Sequence, residues 1–183
     1  IFARMLKKMG KLEYPVVVTT VMSNMGLRKA LHEMGIRNIT TKVGDRNVVR
    51  EMKKRGAILG GEESGHIIFL NHHSTGDGII SALQLISALK ILDMPLHELS
   101  KTMEVFPQIV LNVKVREKPD LSTIPEIKEK IEQIERLLSD KGRILVRYSG
   151  TEPVCRIMLE GEDKGIISRY AQEIASLIQD RLG

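Results

Sequence analysis

Seven residues near the C-terminal end, Arg147-Tyr148-Ser149-Gly150-Thr151-Glu152-Pro153, hold the donors a phosphate needs. Arg147 offers a planar fork that meets a phosphate in bidentate fashion. Ser149 and Thr151 add hydroxyls. Gly150 has no Cβ, so its N–H approaches an oxyanion closely and the backbone is free to form a concave nest. Arg156 follows on a strand-like segment, on the same face as Val154 and Met158, where a charge also fits an anion. A plain hairpin turn, with Arg147 paired to Glu152, is the competing reading of these residues.

A second group is Gly60-Gly61-Glu62-Glu63-Ser64-Gly65-His66. The glycines suggest a flexible turn. Glu62, Ser64 and His66 alternate, so an extended backbone puts all three on one side. A carboxylate beside a hydroxyl is suited to vicinal sugar hydroxyls, because the carboxylate accepts two O–H bonds. An ordinary solvated turn is the alternative. Two further loops precede helices. In Lys42-Val43-Gly44-Asp45-Arg46, Asp45 reads as an N-cap; in Thr75-Gly76-Asp77-Gly78, Thr75 or Asp77 does. His72-His73 does not read as a zinc site, since adjacent strand positions point apart and no Cys or acid sits at ligand spacing. No Gly-x-Ser-x-Gly elbow, Walker-type loop or aspartate run is present, so no nucleophile stands out.

The elements that position these loops are legible in the apolar pattern. Phe2, Met5, Leu6 and Met9 mark a helix ended by Gly10. Pro15 to Val21 reads as a strand buried on both faces. A helix capped at Ser23 or Asn24 runs to Met34, and a strand spans Ile36 to Thr41. The helix from Asp45 ends at Gly56, with Val48, Val49 and Met52 inward. Strands follow at Ala57–Leu59 and Ile67–Leu70. The helix from about Ile79 to Leu92 is apolar almost all round and reads as central and well buried. After a short helix and connector, Ile109, Leu111, Val113 and Val115 alternate as a half-buried strand. Thr123 and Glu126 have capping-box spacing with Pro125 in the first turn. Two strands flank the Arg147 loop, and a last helix runs from about Lys164 to Leu182. The fold class is α/β: a mixed, mainly parallel layered sheet over 1–102, then a small α+β domain with a largely antiparallel sheet over 103–183.

Composition narrows the function classes. The 183 residues are 42% hydrophobic and 28% charged, with no Trp, so the cores are built from Ile, Leu, Val and Met. One cysteine, Cys155, rules out an internal disulfide framework and reads as a small packed strand residue. The net charge is +5, but the basic residues are dispersed without interleaved aromatics, which disfavours nucleic acid. The excess also suits an anionic small molecule. No apolar run approaches membrane-spanning length.

Taken together, Gly61 to His66, Thr75 to Gly78 and Arg147 to Pro153 resemble the α-D-phosphohexomutase superfamily, and within it the bacterial phosphoglucosamine mutase branch. Val21-Met22-Ser23-Asn24 and Val43 to Arg46 resemble it too. The resemblance covers the whole chain and implies the third and fourth of the family's four domains, sugar-binding (1–102) and phosphate-binding (103–183). It further implies that a phosphoserine in the first domain gives its phosphoryl group to the sugar through a glucose or glucosamine bisphosphate intermediate. It implies too that Mg²⁺ is held by an aspartate-rich loop of the second domain. The net reaction so implied is a cytoplasmic one that interconverts glucosamine 6-phosphate and glucosamine 1-phosphate, on the route to UDP-N-acetylglucosamine and cell wall.

By the same resemblance, Glu62, Ser64 and His66 bind the sugar. Arg147, Ser149, Gly150, Thr151 and Arg156 bind the phosphate that is not transferred. Asp45, Arg46 and Asp77 support them, and no catalytic or metal-ligating residue lies in this part. The expected partners are a hexosamine phosphate, the N-terminal domains and, as an allowed state, a second copy; without those domains no turnover is expected. Three positions depart from the branch: Glu63 for Gln, Asn47 for an aromatic residue, and Tyr148 for Pro. A phosphoglucomutase or phosphomannomutase, or a non-catalytic phosphosugar-binding module, are the alternatives.

Overall fold

The apolar run after Pro15 becomes a strand with every residue buried, β1 (Val16–Thr20). The computed structural model describes all 183 residues, and the chain divides into two compact units, 1–105 and 106–183. In the first unit the order is α1 (Phe2–Lys8), β1, α2 (Met25–Glu33), β2 (Arg37–Thr41), α3 (Asp45–Arg55), β3 (Leu59–Gly61), β4 (Ile67–Phe69), α4 (Gly78–Leu92) and α5 (Leu96–Leu99). Its sheet runs β2-β1-β3-β4, parallel except for the last pair.

Alternation along β1 builds two cores. Val17 faces one side with Leu6, Leu31, Leu59, Phe69 and Ala88. Val16 and Val18 face the other with Val48, Met52 and Ile68. Helices therefore cover both faces of a mainly parallel sheet, the layered arrangement expected of a strand without polar positions.

Three readings of the sequence need correction in this first unit. The third strand lies at Leu59–Gly61, two residues later than its apolar run suggests. Gly60 is a sheet residue because α3 packs onto it: a Cβ there would sit 2.6 Å from Met52 Sδ and 2.9 Å from Val18 O. Asp45 does not cap α3. Gly44 is the N-cap, and the Asp45 carboxylate accepts the Arg46 N–H at 2.6 Å. Helix α4 is not central. Only Ala88 and Leu92 are buried, while Ile79, Leu83 and Ile86 are 75%, 59% and 52% exposed. The helix packs on α1 and β4, and Ile79, Leu83 and Ile86 lie on its exposed side.

The second unit comprises β5 (Gln108–Lys114), α6 (Pro125–Leu138), β6 (Gly142–Tyr148), β7 (Val154–Gly161) and α7 (Lys164–Leu182). Its sheet is antiparallel throughout, in the order β5-β7-β6. Val113, Cys155, Ile157, Leu159 and Ile144 meet Ile127 and Ile134 of α6 and Ile167, Ile174 and Ile178 of α7 in one core. Pro125 opens α6 as expected, but the capping box does not form. Ile124 is the N-cap, and the Thr123 hydroxyl donates to Asp120 O at 2.6 Å instead. No single helix of either unit is long and apolar enough to cross a membrane.

Candidate functional site

In the first unit, β3 and β4 form a hairpin whose three-residue loop is Glu63-Ser64-Gly65. Glu62 N–H bonds to His66 O at 3.0 Å, and Gly65 N–H returns to Glu62 O at 3.2 Å. Gly65 has φ +92°, the left-handed position that closes such a turn. Glu62, Ser64 and His66 therefore do not share one side of an extended segment, as the alternation suggests; the chain reverses between them. Ser64 Oγ and His66 Nδ1 lie 3.0 Å apart, both exposed.

Glu62 has a task that its spacing does not disclose. Its Oε1 accepts the Gly44 N–H at 2.7 Å, tying the 43–46 loop to this turn. No hydrogen bond from within the chain reaches the other carboxylate oxygen. Arg46 is exposed and pairs with no carboxylate. The Thr75 to Gly78 loop lies against the same turn, since a Cβ on Gly76 would sit 3.1 Å from His66 Cα. Asp77 caps α4, its Oδ1 accepting Ile80 N–H at 2.8 Å. Thr75 Oγ1 lies 2.9 Å from His73 Nδ1. Three loops thus meet around Glu62 and His66, with Asp45, Arg46 and Asp77 in the outer two.

In the second unit, β6 and β7 set Arg147 directly opposite Arg156. Residues opposite one another on antiparallel strands share a face, and like charges there repel. Glu152 offsets one of them: its Oε2 lies 2.6 Å from Arg156 Nη2. The Arg147–Glu152 pair of the plain-turn reading is not formed, and Arg147 has no carboxylate partner. The Nε of Arg156 is buried without a hydrogen bond.

Ser149 anchors the loop between these strands. It is only 4% exposed. Its N–H donates to Val154 O at 2.9 Å, and its Oγ accepts Glu152 N–H at 3.3 Å. Lys118 Nζ donates to its carbonyl at 2.7 Å. Gly150 and Thr151 are exposed, and their N–H groups donate to nothing in the chain. No residue from 147 to 153 has a positive φ, so the loop lacks the left-handed residue of a nest. It presents free amides on a turn instead. Lys118 escapes sequence reasoning because it lies 31 residues from Ser149 and belongs to no periodic pattern.

Burial shapes the chemistry of the neighbours. It raises the Tyr148 phenol, helped by Cys155, Glu117 and Asp120 nearby, and the buried phenol oxygen has no partner. Burial pushes the Cys155 thiol up to about 11, which makes it an inert core group. No three His, Cys, Asp or Glu side chains converge as a metal site. The Mg²⁺ implied by the family resemblance thus has no ligand set among these residues.

Comparison with known proteins finds two family models along the chain. The family model described as phosphoglucomutase/phosphomannomutase, alpha/beta/alpha domain III, matches residues 1–106, and that for the C-terminal domain of the same family matches 110–177. The phosphoglucosamine mutase of Syntrophobacter fumaroxidans is 48% identical over 183 residues, covering 100% of this chain and 41% of the relative. That of Geotalea daltonii is 53% identical over 179 residues, covering 98% of this chain and 39% of the relative. The chain thus spans about two fifths of the length of the curated relatives it matches. Among solved structures, the N-acetylphosphoglucosamine mutase of Aspergillus fumigatus, crystallised with GlcNAc-6P and magnesium, shares the fold. Its TM-score is 0.75 at 17% identity, over 99% of this chain and 42% of that one. Both domain models match in their family order and the full-chain relatives carry one name, so the chain belongs to the phosphoglucomutase/phosphomannomutase (α-D-phosphohexomutase) family and corresponds to its domain III and C-terminal domain.

Proposed function

We propose that this chain is the substrate-binding part of a hexosamine-phosphate mutase that, in the full-length protein, interconverts glucosamine 6-phosphate and glucosamine 1-phosphate. The observation that carries the reading is the Arg147–Arg156 cross-strand pair beside the open amides of Gly150 and Thr151. Of the two guanidinium groups only that of Arg156 has a carboxylate partner, so a positive charge is left without one, and a phosphate dianion supplies the missing negative charge. The phosphate is the one not being transferred, held by Arg147, Arg156, the two amides and the Ser149 and Thr151 hydroxyls. The Ser149 hydroxyl still has its proton to donate, because its oxygen accepts from Glu152 N–H.

The sugar is held by the Glu62 turn. The free oxygen of Glu62 accepts a hydroxyl, while Ser64 and His66 offer a second polar pair. Asp45, Arg46 and Asp77 set the loops around them. Neither group transfers a phosphoryl group. That chemistry, with its phosphoserine and Mg²⁺, is assigned to parts of the enzyme outside these residues, and the chain alone is expected to bind without turnover.

Isothermal titration of the 183-residue protein with glucosamine 6-phosphate tests the reading. Arg147→Ala should weaken binding by roughly 2–5 kcal/mol, the cost of truncating one partner of a buried charge pair. A loss below about 0.5 kcal/mol would place the phosphate elsewhere. Glucose 6-phosphate titrated in parallel separates the hexosamine reading from a phosphoglucomutase or phosphomannomutase.

A further inference from the structure

We propose that Lys118 is a positioning residue for the phosphate loop, fixing the peptide between Ser149 and Gly150 so that the Gly150 N–H faces a bound phosphate. The proposal rests on the phosphate-binding reading above and assigns a task to a side chain outside the loop. Its ammonium donates to the Ser149 carbonyl at 2.7 Å. A trans peptide is planar, with its C=O and N–H pointing in opposite directions. Holding the oxygen from one side therefore holds the Gly150 N–H on the other.

The rest of the loop does not constrain that peptide. The N–H and Oγ of Ser149 are tied to Val154 O and Glu152 N–H, which fixes the residue but not the plane that follows it. Gly150 is exposed, and a Cβ there would meet nothing within 4 Å. A peptide that leads into an open glycine flips at little steric cost. The Lys118 bond is the contact that opposes the flip. A cation on the carbonyl side also polarises the peptide and strengthens its N–H as a donor.

The segment carrying Lys118 is built as a strut. Val115 N–H donates to Pro153 O at 3.0 Å, so residues 115–118 grip both ends of the loop. Arg116 N–H donates to Leu182 O at 2.8 Å, which anchors the same segment to the end of α7. Removing the Lys118 ammonium leaves both backbone bonds in place, so the hairpin stays formed while the peptide is released.

The test uses Lys118→Met and Lys118→Arg in the 183-residue protein, followed by ¹⁵N NMR. In the ligand-free protein, Lys118→Met should bring millisecond exchange to the Gly150 amide, and Lys118→Arg should suppress it. On titration with glucosamine 6-phosphate, Lys118→Met should bind about tenfold more weakly if the flipped peptide takes nine tenths of the population. That loss should persist at high salt, which screens a long-range Coulomb contribution but not a conformational one. Wild-type binding matched by Lys118→Met, an unchanged Gly150 amide, or a deficit that vanishes at high salt would each overturn the positioning role alone. Wild-type Gly150 and Thr151 amides that ignore the ligand would overturn the phosphate-binding reading itself, and the positioning role with it.

Discussion

At the scale of single residues, the loop between β6 and β7 separates what the fold requires from what a ligand would require. Gly150 is the clearest case. Its φ is not positive, and a Cβ would enter open space. Gly150→Ala should therefore leave stability within about 0.5 kcal/mol, as for a surface change without special backbone demands. Phosphosugar affinity should still fall, because the methyl group would occupy the approach to the amide. Thermal melts and calorimetric titration of the same variant check both halves.

Cys155 gives the opposite case, a residue the fold requires and a ligand does not. Its thiol is raised from an ordinary 9.0 to about 11 by burial. The neutral form is favoured in the folded state, so its contribution is fully present below pH 9.0 and lost as pH climbs from there toward about 11. Denaturant melts across that window should show the decline, and Cys155→Ala should remove its share of it. The sequence already pointed to a packed cysteine and to the loop's donor set. It did not disclose the partners, because hydrogen bonds such as Lys118 to Ser149 and Gly44 to Glu62 join residues with no sequence relation.

At the scale of elements, alternation and periodicity located nearly every strand and helix, since burial writes them directly into the order of apolar residues. The failures have a common cause: a local pattern cannot register what packs against it. Gly60 and Gly61 read as a turn because nothing local shows α3 pressing on the sheet. Thr123 and Glu126 had the spacing of a cap, but the Thr123 hydroxyl found Asp120 O closer to hand. Helix α4 read as central because its residues are apolar, yet only one face meets α1 and β4. Leu31 and Leu83 measure the difference. Leu31 is fully buried in α2, whereas Leu83 is 59% exposed in α4. Leu31→Ala should cost about 2–5 kcal/mol, and Leu83→Ala within about 0.5 kcal/mol, by urea denaturation.

At the scale of the whole molecule, each unit keeps its own apolar interior. The core of the second unit draws every member from residues 109–182. The strand order β5-β7-β6 also closes without help from the first unit. Residues 106–183 expressed alone should therefore unfold cooperatively, with circular dichroism showing a single transition. A non-cooperative melt would mean that this core is incomplete. Optically, the chain is simple. It has no Trp and three tyrosines, of which Tyr14 is 67% exposed in the first unit, while Tyr148 and Tyr170 belong to the second. The phenol of Tyr148 is shielded, unpartnered and adjacent in sequence to both Arg147 and Ser149. Intrinsic ultraviolet emission therefore carries a reporter next to the proposed phosphate site, and titration with glucosamine 6-phosphate should change it without a dye or label if the phosphate binds there.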